Sequence, residues 1–256
     1  MKKKIVALCL VACLAVMAIA GASLAYFTAE DSADNVFTMK GIKVEINEEF
    51  VQGSELLPGL DINKDVYVTN TGTSDAYVRV HIAIPEALDD GDPSFAAYNN
   101  FLHFNFTNES VEAGQWSWLP EMTEDTGYRG NGEGNWNYYT AEIDGIEYAV
   151  YVVTYRTALA GGEKTATQAL DKVYVDKNVD CEWDEAQDCF YYTDNKGNTV
   201  YPSQFADENG NVTIKVFAEA AQTATFENAY DALNTAFGTP GSEGYVAPWN
   251  KYKTVD

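Results

Sequence analysis

Basic residues are scarce in this sequence: 16 Lys and Arg stand against 39 Asp and Glu, a formal net charge of -23. A surface of that sign repels phosphates, which excludes a nucleic-acid partner, and it equally disfavours anionic lipid headgroups. Cysteine is scarce too, at four. Cys9 and Cys13 fall in an apolar leader, so only Cys181 and Cys189 remain for a mature chain, too few for a disulfide scaffold. There are two histidines, His81 and His103, and no His-Glu-x-x-His, whereas a catalytic zinc ordinarily takes three protein ligands. Both histidines sit between apolar neighbours and are expected to be hydrogen-bonded structural residues. A Gly-x-Ser-x-Gly elbow is missing, and the stretch from Gly130 to Gly134 lacks the lysine of a phosphate loop. Neither an internal repeat nor a low-complexity linker is present, so one domain is expected.

Aromatic residues are abundant instead, with 17 Tyr, 12 Phe and 5 Trp. They supply the core that a merely acidic chain would lack. The chain opens with Lys2-Lys3-Lys4 and an uncharged run from Ile5 to Ala20, the two parts of an export leader. Ser23 and Ala25, small and two apart, place the cut before Tyr26. The alternatives are an uncleaved anchor, since Ile5 to Ala25 is long enough to cross a bilayer, and lipidation at Cys13 after Leu10-Val11-Ala12. Against lipidation, the apolar run continues well past Cys13. The membrane is expected to be touched only through this leader. Gly238 to Asp256 has neither an apolar tail nor a sortase-type motif.

After the leader the pattern is strands separated by turns. Ile42 to Ile46 alternates apolar and charged residues, as a half-buried strand does. Asp65 to Thr69 and Ala76 to Ile82 flank the turn Asn70-Thr71-Gly72-Thr73. Tyr138 to Ile143 and Ile146 to Thr157 flank Asp144-Gly145, a favoured two-residue hairpin turn. Ala169 to Val175, Phe190 to Tyr192, Thr199 to Tyr201 and Val212 to Ala218 are further expected strands, whereas Pro85 to Asn137 has no clear period. Phe226 to Phe237 places Phe226, Ala229, Tyr230, Leu233 and Phe237 on one helical stripe, with Gly238 as its cap. The fold expected is mainly β, an antiparallel β-sandwich of jelly-roll type over residues 26–238, with one appended C-terminal helix and a tail over 239–256.

Candidate binding residues are few. Many carboxylates offer oxygens to divalent cations, so calcium is the one cofactor weighed. Its candidate ligands lie in two acidic turns, Asp89, Asp90 and Asp92 in one, Asp207 and Asn209 in the other. Neither has the full EF-hand spacing. Cys181 and Cys189, seven residues apart between them, are a candidate disulfide in an oxidising exterior. Trp116, Trp118 and Trp136 are candidates for stacking on sugar faces, or else core residues; Trp116 and Trp118 share a face if their segment is a strand.

Three blocks resemble the TasA and camelysin-like exported proteins of Gram-positive bacteria, whose leaders are cut by the signal peptidase SipW. The first is Leu24-Ala25-Tyr26-Phe27-Thr28 with Asp31-Ser32, Asn35-Val36-Phe37-Thr38 and Gly41-Ile42-Lys43-Val44. The second is Leu57-Pro58-Gly59 with Val66 to Thr73 and Ala76 to Val80. The third runs from Val212 to Gln222 and into the helix. The resemblance implies secretion, self-assembly into biofilm matrix or surface fibres, and completion of one subunit's sheet by the N-terminal segment of the next. Residues 26–38 suit that role: Tyr26, Phe27, Val36 and Phe37 would fill pockets while the backbone bonds to an open edge. An extracellular glycan- or host-binding adhesin is the alternative, and a camelysin-like metallopeptidase the third reading; no catalytic residues are expected.

Overall fold

The computed structural model describes residues 41–51, 53–89, 101–105, 115–118 and 137–251. The chain divides into two units after Met39, and every described residue belongs to the second, from Lys40 onward. Among the described residues, one sheet contains β1 (Val44–Phe50), β2 (Asp61–Asn70), β8 (Leu170–Val175) and β4 (Leu102–Asn105), neighbours in that order. The second contains β12 (Lys215–Gln222), β3 (Ala76–Pro85) and β7 (Ile146–Tyr155), and the far side of β7 is shared by β5 (Trp116–Ser117) and β6 (Tyr138–Ile143). A small third sheet holds β9 (Asp180–Asp184), β10 (Cys189–Thr193) and β11 (Thr199–Val200), with β10 in the middle. Every pairing between these strands is antiparallel. The protein is therefore mainly β, as its alternation of apolar and polar residues requires.

The two large sheets face each other across one core. Val66, Val68, Leu170 and Val173 of the first pack against Val78, Val80, Ile82, Ile84, Ala149, Tyr151 and Val153 of the second. Each such aliphatic side chain contributes about 1.5–3 kcal/mol on leaving water. The loop after β2 does not make a hairpin. It carries the chain from the first sheet into the second. Gly72 is needed in it, because a Cβ there would stand 2.4 Å from the Gly41 carbonyl oxygen. The Gly72 and Thr73 N–H groups donate to the Lys43 and Gly41 carbonyls at 3.0 and 2.9 Å, pinning the entry to β1.

All ten residues of β3 are buried, because the second sheet is covered on both faces. Its outer face is roofed by α1 (Ala229–Phe237), which sets Ala229, Ala232 and Leu233 on Tyr77 and Ala221. The C-terminal stretch ending in α2 (Pro248–Lys251) sets Tyr245, Ala247 and Trp249 against Ala83, Val150 and Val152. Residues past 238, read from sequence as a tail, are thus part of the layered fold. Helix α1 begins three residues later than its apolar stripe, since Asn228 is extended and its side chain accepts from Asp231 N–H at 2.9 Å as a cap. The hairpin β6–β7 forms at Asp144-Gly145 as expected, both residues having positive φ (55° and 83°). The last strand starts at Lys215 rather than Val212: Val212 bridges Ala206 beside a turn instead.

Candidate functional site

The expected N-terminal residues Ala25, Tyr26, Phe27, Val36 and Phe37, and with them all of 26–38, lie outside the described residues, as do Asp90, Asp92 and Trp136. Asp89 is buried, and its Oδ1 accepts from the Tyr151 hydroxyl at 2.9 Å. The Asp207 carboxylate is committed to its own turn, accepting from the Asn209 and Asn211 N–H groups at 2.9 and 2.8 Å and from the Asn211 amide. These bonds, led by those from Asn211, hold its pKa below the usual carboxylate range. Asp194 repeats the device, accepting from the N–H groups of Lys196 and Asn198, so Asp-x-x-Gly-Asn is a turn module used twice. Asn209 supplies a backbone N–H to it, not a ligand oxygen.

Two other expectations are corrected. Trp116 and Trp118 do share a face, but it is the inner one: both are 1% exposed, Trp118 stacked on Phe104 and Trp116 donating from Nε1 to the Thr167 carbonyl at 3.1 Å. No sugar ring can reach either. Cys181 and Cys189 are free thiols. In the hairpin register Cys181 lies opposite Tyr192 and Cys189 opposite Asp184, which puts the two sulfurs on opposite faces of the ribbon and three steps apart.

What the fold does offer is an edge. Among the described residues β6 has a single strand neighbour, β7. Val152 N–H donates to the Asn137 carbonyl at 2.7 Å, and the turn spans two residues, so Tyr139, Ala141 and Ile143 face β7 with their backbone groups. The N–H and C=O groups of Tyr138, Thr140 and Glu142 consequently point away from the sheet. Beside them is an open groove of about 640 Å³, lined by β6, Gly241, Ser242, Tyr245 and Ala247. Other strands among the described residues also stand at sheet edges, β1, β4, β9 and β12 among them; β9 is blunted by Asp180, Glu182 and Asp184, whereas β6 carries one carboxylate, Glu142.

Behind this groove, on the roofed face, lies a buried ionic network that the sequence pattern alone did not predict. Arg79, His81 and Glu219 are 1%, 0% and 4% exposed. The Arg79 guanidinium donates from Nε to Glu219 Oε2 at 2.7 Å, to Asn234 Oδ1 at 3.0 Å, and to the Gly238 carbonyl that ends α1 at 3.1 Å. His81 joins Glu219 Oε2 and the Tyr139 hydroxyl, each at 3.2 Å, and Trp249 Nε1 donates to the same hydroxyl at 2.9 Å. Burial alone would raise the Glu219 pKa; the His81 hydrogen bond and the Arg79 charge outweigh it and hold it below the usual range. Burial pushes Tyr139 far upward and Tyr245 up to about 12, so both phenols stay neutral. The signal available in the sequence was Tyr77, Arg79 and His81 alternating with valines: polar residues at period two in a strand whose other face is apolar.

His103 is elsewhere, on the first sheet, its Nε2 3.0 Å from Asp176 Oδ2 with Tyr174 alongside. A family model described as Camelysin metallo-endopeptidase matches residues 1–93. That is the TasA and camelysin-like family which the sequence resembles, and the match takes in β1 to β3. No curated protein matches the chain. The family name raises a metal, but this chain has its two histidines on different sheets, and no group of three or more His, Cys, Asp or Glu among the described residues is placed to hold one. Those residues do not fit a zinc centre. Among them, too, no helix is long and apolar enough to cross a membrane.

Proposed function

We propose that this chain is an exported structural protein of extracellular matrix or surface fibres, assembled when residues 26–38 of one copy add as a strand to the β6 edge of the next. The observation that carries the reading is the outward-facing backbone of Tyr138, Thr140 and Glu142 beside its groove. Main-chain hydrogen bonds to such an edge give affinity, and alternate side chains of the incoming strand fill the groove. Position supports it as well. The entry to β1 is pinned at Gly41, and β1 runs beside β12, whereas β6 is three strand spacings from β12, about 14 Å. A segment rooted at one side and accepted at the other makes a heterologous contact, which propagates instead of closing. The role is structural, without catalysis.

The test uses protein beginning at Tyr26, from which electron microscopy should show fibres. Deleting 26–38 should leave folded monomers. So should Thr140→Pro, which removes one outward N–H from an edge strand without touching a bond to β7. Fibres that survive both changes would refute the assignment of donor and edge together; survival of Thr140→Pro alone would move the acceptor to another edge.

A further inference from the structure

The tip of the β9–β10 hairpin combines two features that fibre assembly through β6 does not use. Trp183 and Phe190 face each other across the register, their rings edge to face at 4.9 Å, and they remain 49% and 52% exposed. They lie on the same side of the ribbon as Tyr192, which packs on Phe205. The apolar side of the hairpin therefore overhangs the core, and its outer half, Trp183 and Phe190, stays half exposed among the described residues. Around this pair the chain is uniformly acidic: Asp180, Glu182, Asp184, Glu185 and Asp188 fall within nine residues, and no Lys or Arg stands between Lys177 and Lys196.

Asp184 is built to stay charged. Asp184 accepts from the Tyr201 hydroxyl at 3.0 Å and from the Ala186 and Gln187 N–H groups, and the Tyr201 bond leads in holding its pKa low. Glu182 accepts from the Tyr191 hydroxyl. Although Glu182 and Asp184 point from the opposite side of the ribbon, a two-stranded ribbon is thinner than the screening length of about 8 Å at physiological salt, so their field reaches the aromatic side.

We infer that this hairpin tip is a docking surface for a Lys- or Arg-rich segment of another polypeptide, a cation lying over the exposed indole with neighbouring carboxylates as its counter-charge. The chain already shows the contact in miniature. Lys64 sits over Phe50, Arg79 over Phe237 and Lys164 over Tyr67, at 4.8, 5.8 and 3.8 Å from the ring centres. At Trp183 the cation must come from a partner, because the local sequence has none to give. Trp is also among the residues most enriched at interface hot spots, and Arg is its frequent cationic partner. The same acidity turns away anionic lipid, nucleic acid and acidic polysaccharide.

The probe is a short oligo-arginine peptide titrated into the protein lacking residues 26–38, read by amide and indole N–H chemical shifts. Shifts should concentrate between Asp180 and Phe190 and include the Trp183 indole. Trp183→Ala should weaken binding about tenfold without altering net charge. Asp180→Asn with Glu185→Gln, neither of them holding the turn, should weaken it further and flatten its salt dependence. The inference is overturned if Trp183→Ala binds as the parent does, or if the shifts map to the acidic outer face of the first sheet. It is equally overturned if a neutral oligosaccharide, or the protein's own concentration, perturbs the indole while the peptide does not.

Discussion

Replacing Arg79 by Met should be among the most damaging single changes available in this protein. The guanidinium is buried, bonds Glu219, Asn234 and the carbonyl closing α1, and holds the roof to the sheet. Met keeps the volume and removes the charge, leaving Glu219 buried with its hydrogen bond to His81 but without the guanidinium. Breaking one side of a buried pair in this way costs about 3–5 kcal/mol. For a domain of this size that is a fall in Tm of roughly 6–20 °C. Urea denaturation followed by circular dichroism measures it. The double variant Arg79→Met with Glu219→Leu should recover much of the loss, since no unpaired carboxylate then remains. Acid titration adds a sign. In the parent, Glu219 has a depressed folded-state pKa, so its stabilisation is present above about pH 4 and is lost as pH falls through that lower value. In Arg79→Met the depression is reduced and the acid limb becomes shallower. A loss under about 1 kcal/mol, or a double variant whose cost is the sum of the singles, would refute this account of the network.

Trp116→Ala should cost about 3–5 kcal/mol by denaturant titration, whereas Trp183→Ala should stay within about 0.5 kcal/mol, because one indole is core and the other half exposed. Cys181→Ser and Cys189→Ser should each leave Tm unchanged with or without reductant, and both thiols of the native protein should be alkylated; a Tm that falls on reduction would restore the disulfide. Stability should decline steadily below about pH 4, as Glu219, Asp176 and Asp207, all with lowered pKa, take up protons.

The sandwich was legible because its signals are local. Alternation in Val66 to Thr69 and Val78 to Ile82 marks the strands, and Asp144-Gly145 marks a hairpin whose pairing follows from the turn alone. Sheet membership was not legible. Asn70 to Thr73 reads as a turn between two strands, and nothing local says that it crosses between sheets, which is set by Gly72 meeting Gly41 and Lys43 from a distant stretch of chain. Strand β9 escaped because three carboxylates in five residues remove the apolar period, its stability coming instead from pairing with β10. The tryptophans show the same limit from the other side. Spacing placed Trp116 and Trp118 on one face correctly, but which face is inner depends on β7, since β5 is only two residues long and takes its orientation from Tyr155 and Thr154.

The polar residues of the second sheet follow one rule that ties these observations together. A face that carries Arg79, His81 and Glu219 cannot be left half wet: the network is stable when every donor and acceptor is met, and the partners it needs are Asn234, the Gly238 carbonyl, Tyr139 and Trp249. Two of these are in or at the end of α1, one is in α2 and one is in β6, so the charges fix where the C-terminal stretch must lie. That placement in turn sets Gly241 to Ala247 alongside β6 as the far wall of its groove. The groove beside the β6 edge is thus held in shape by a buried charge on β3, and a change at Arg79 should loosen that groove before it loosens the core, which is built from the opposite face of the same strand.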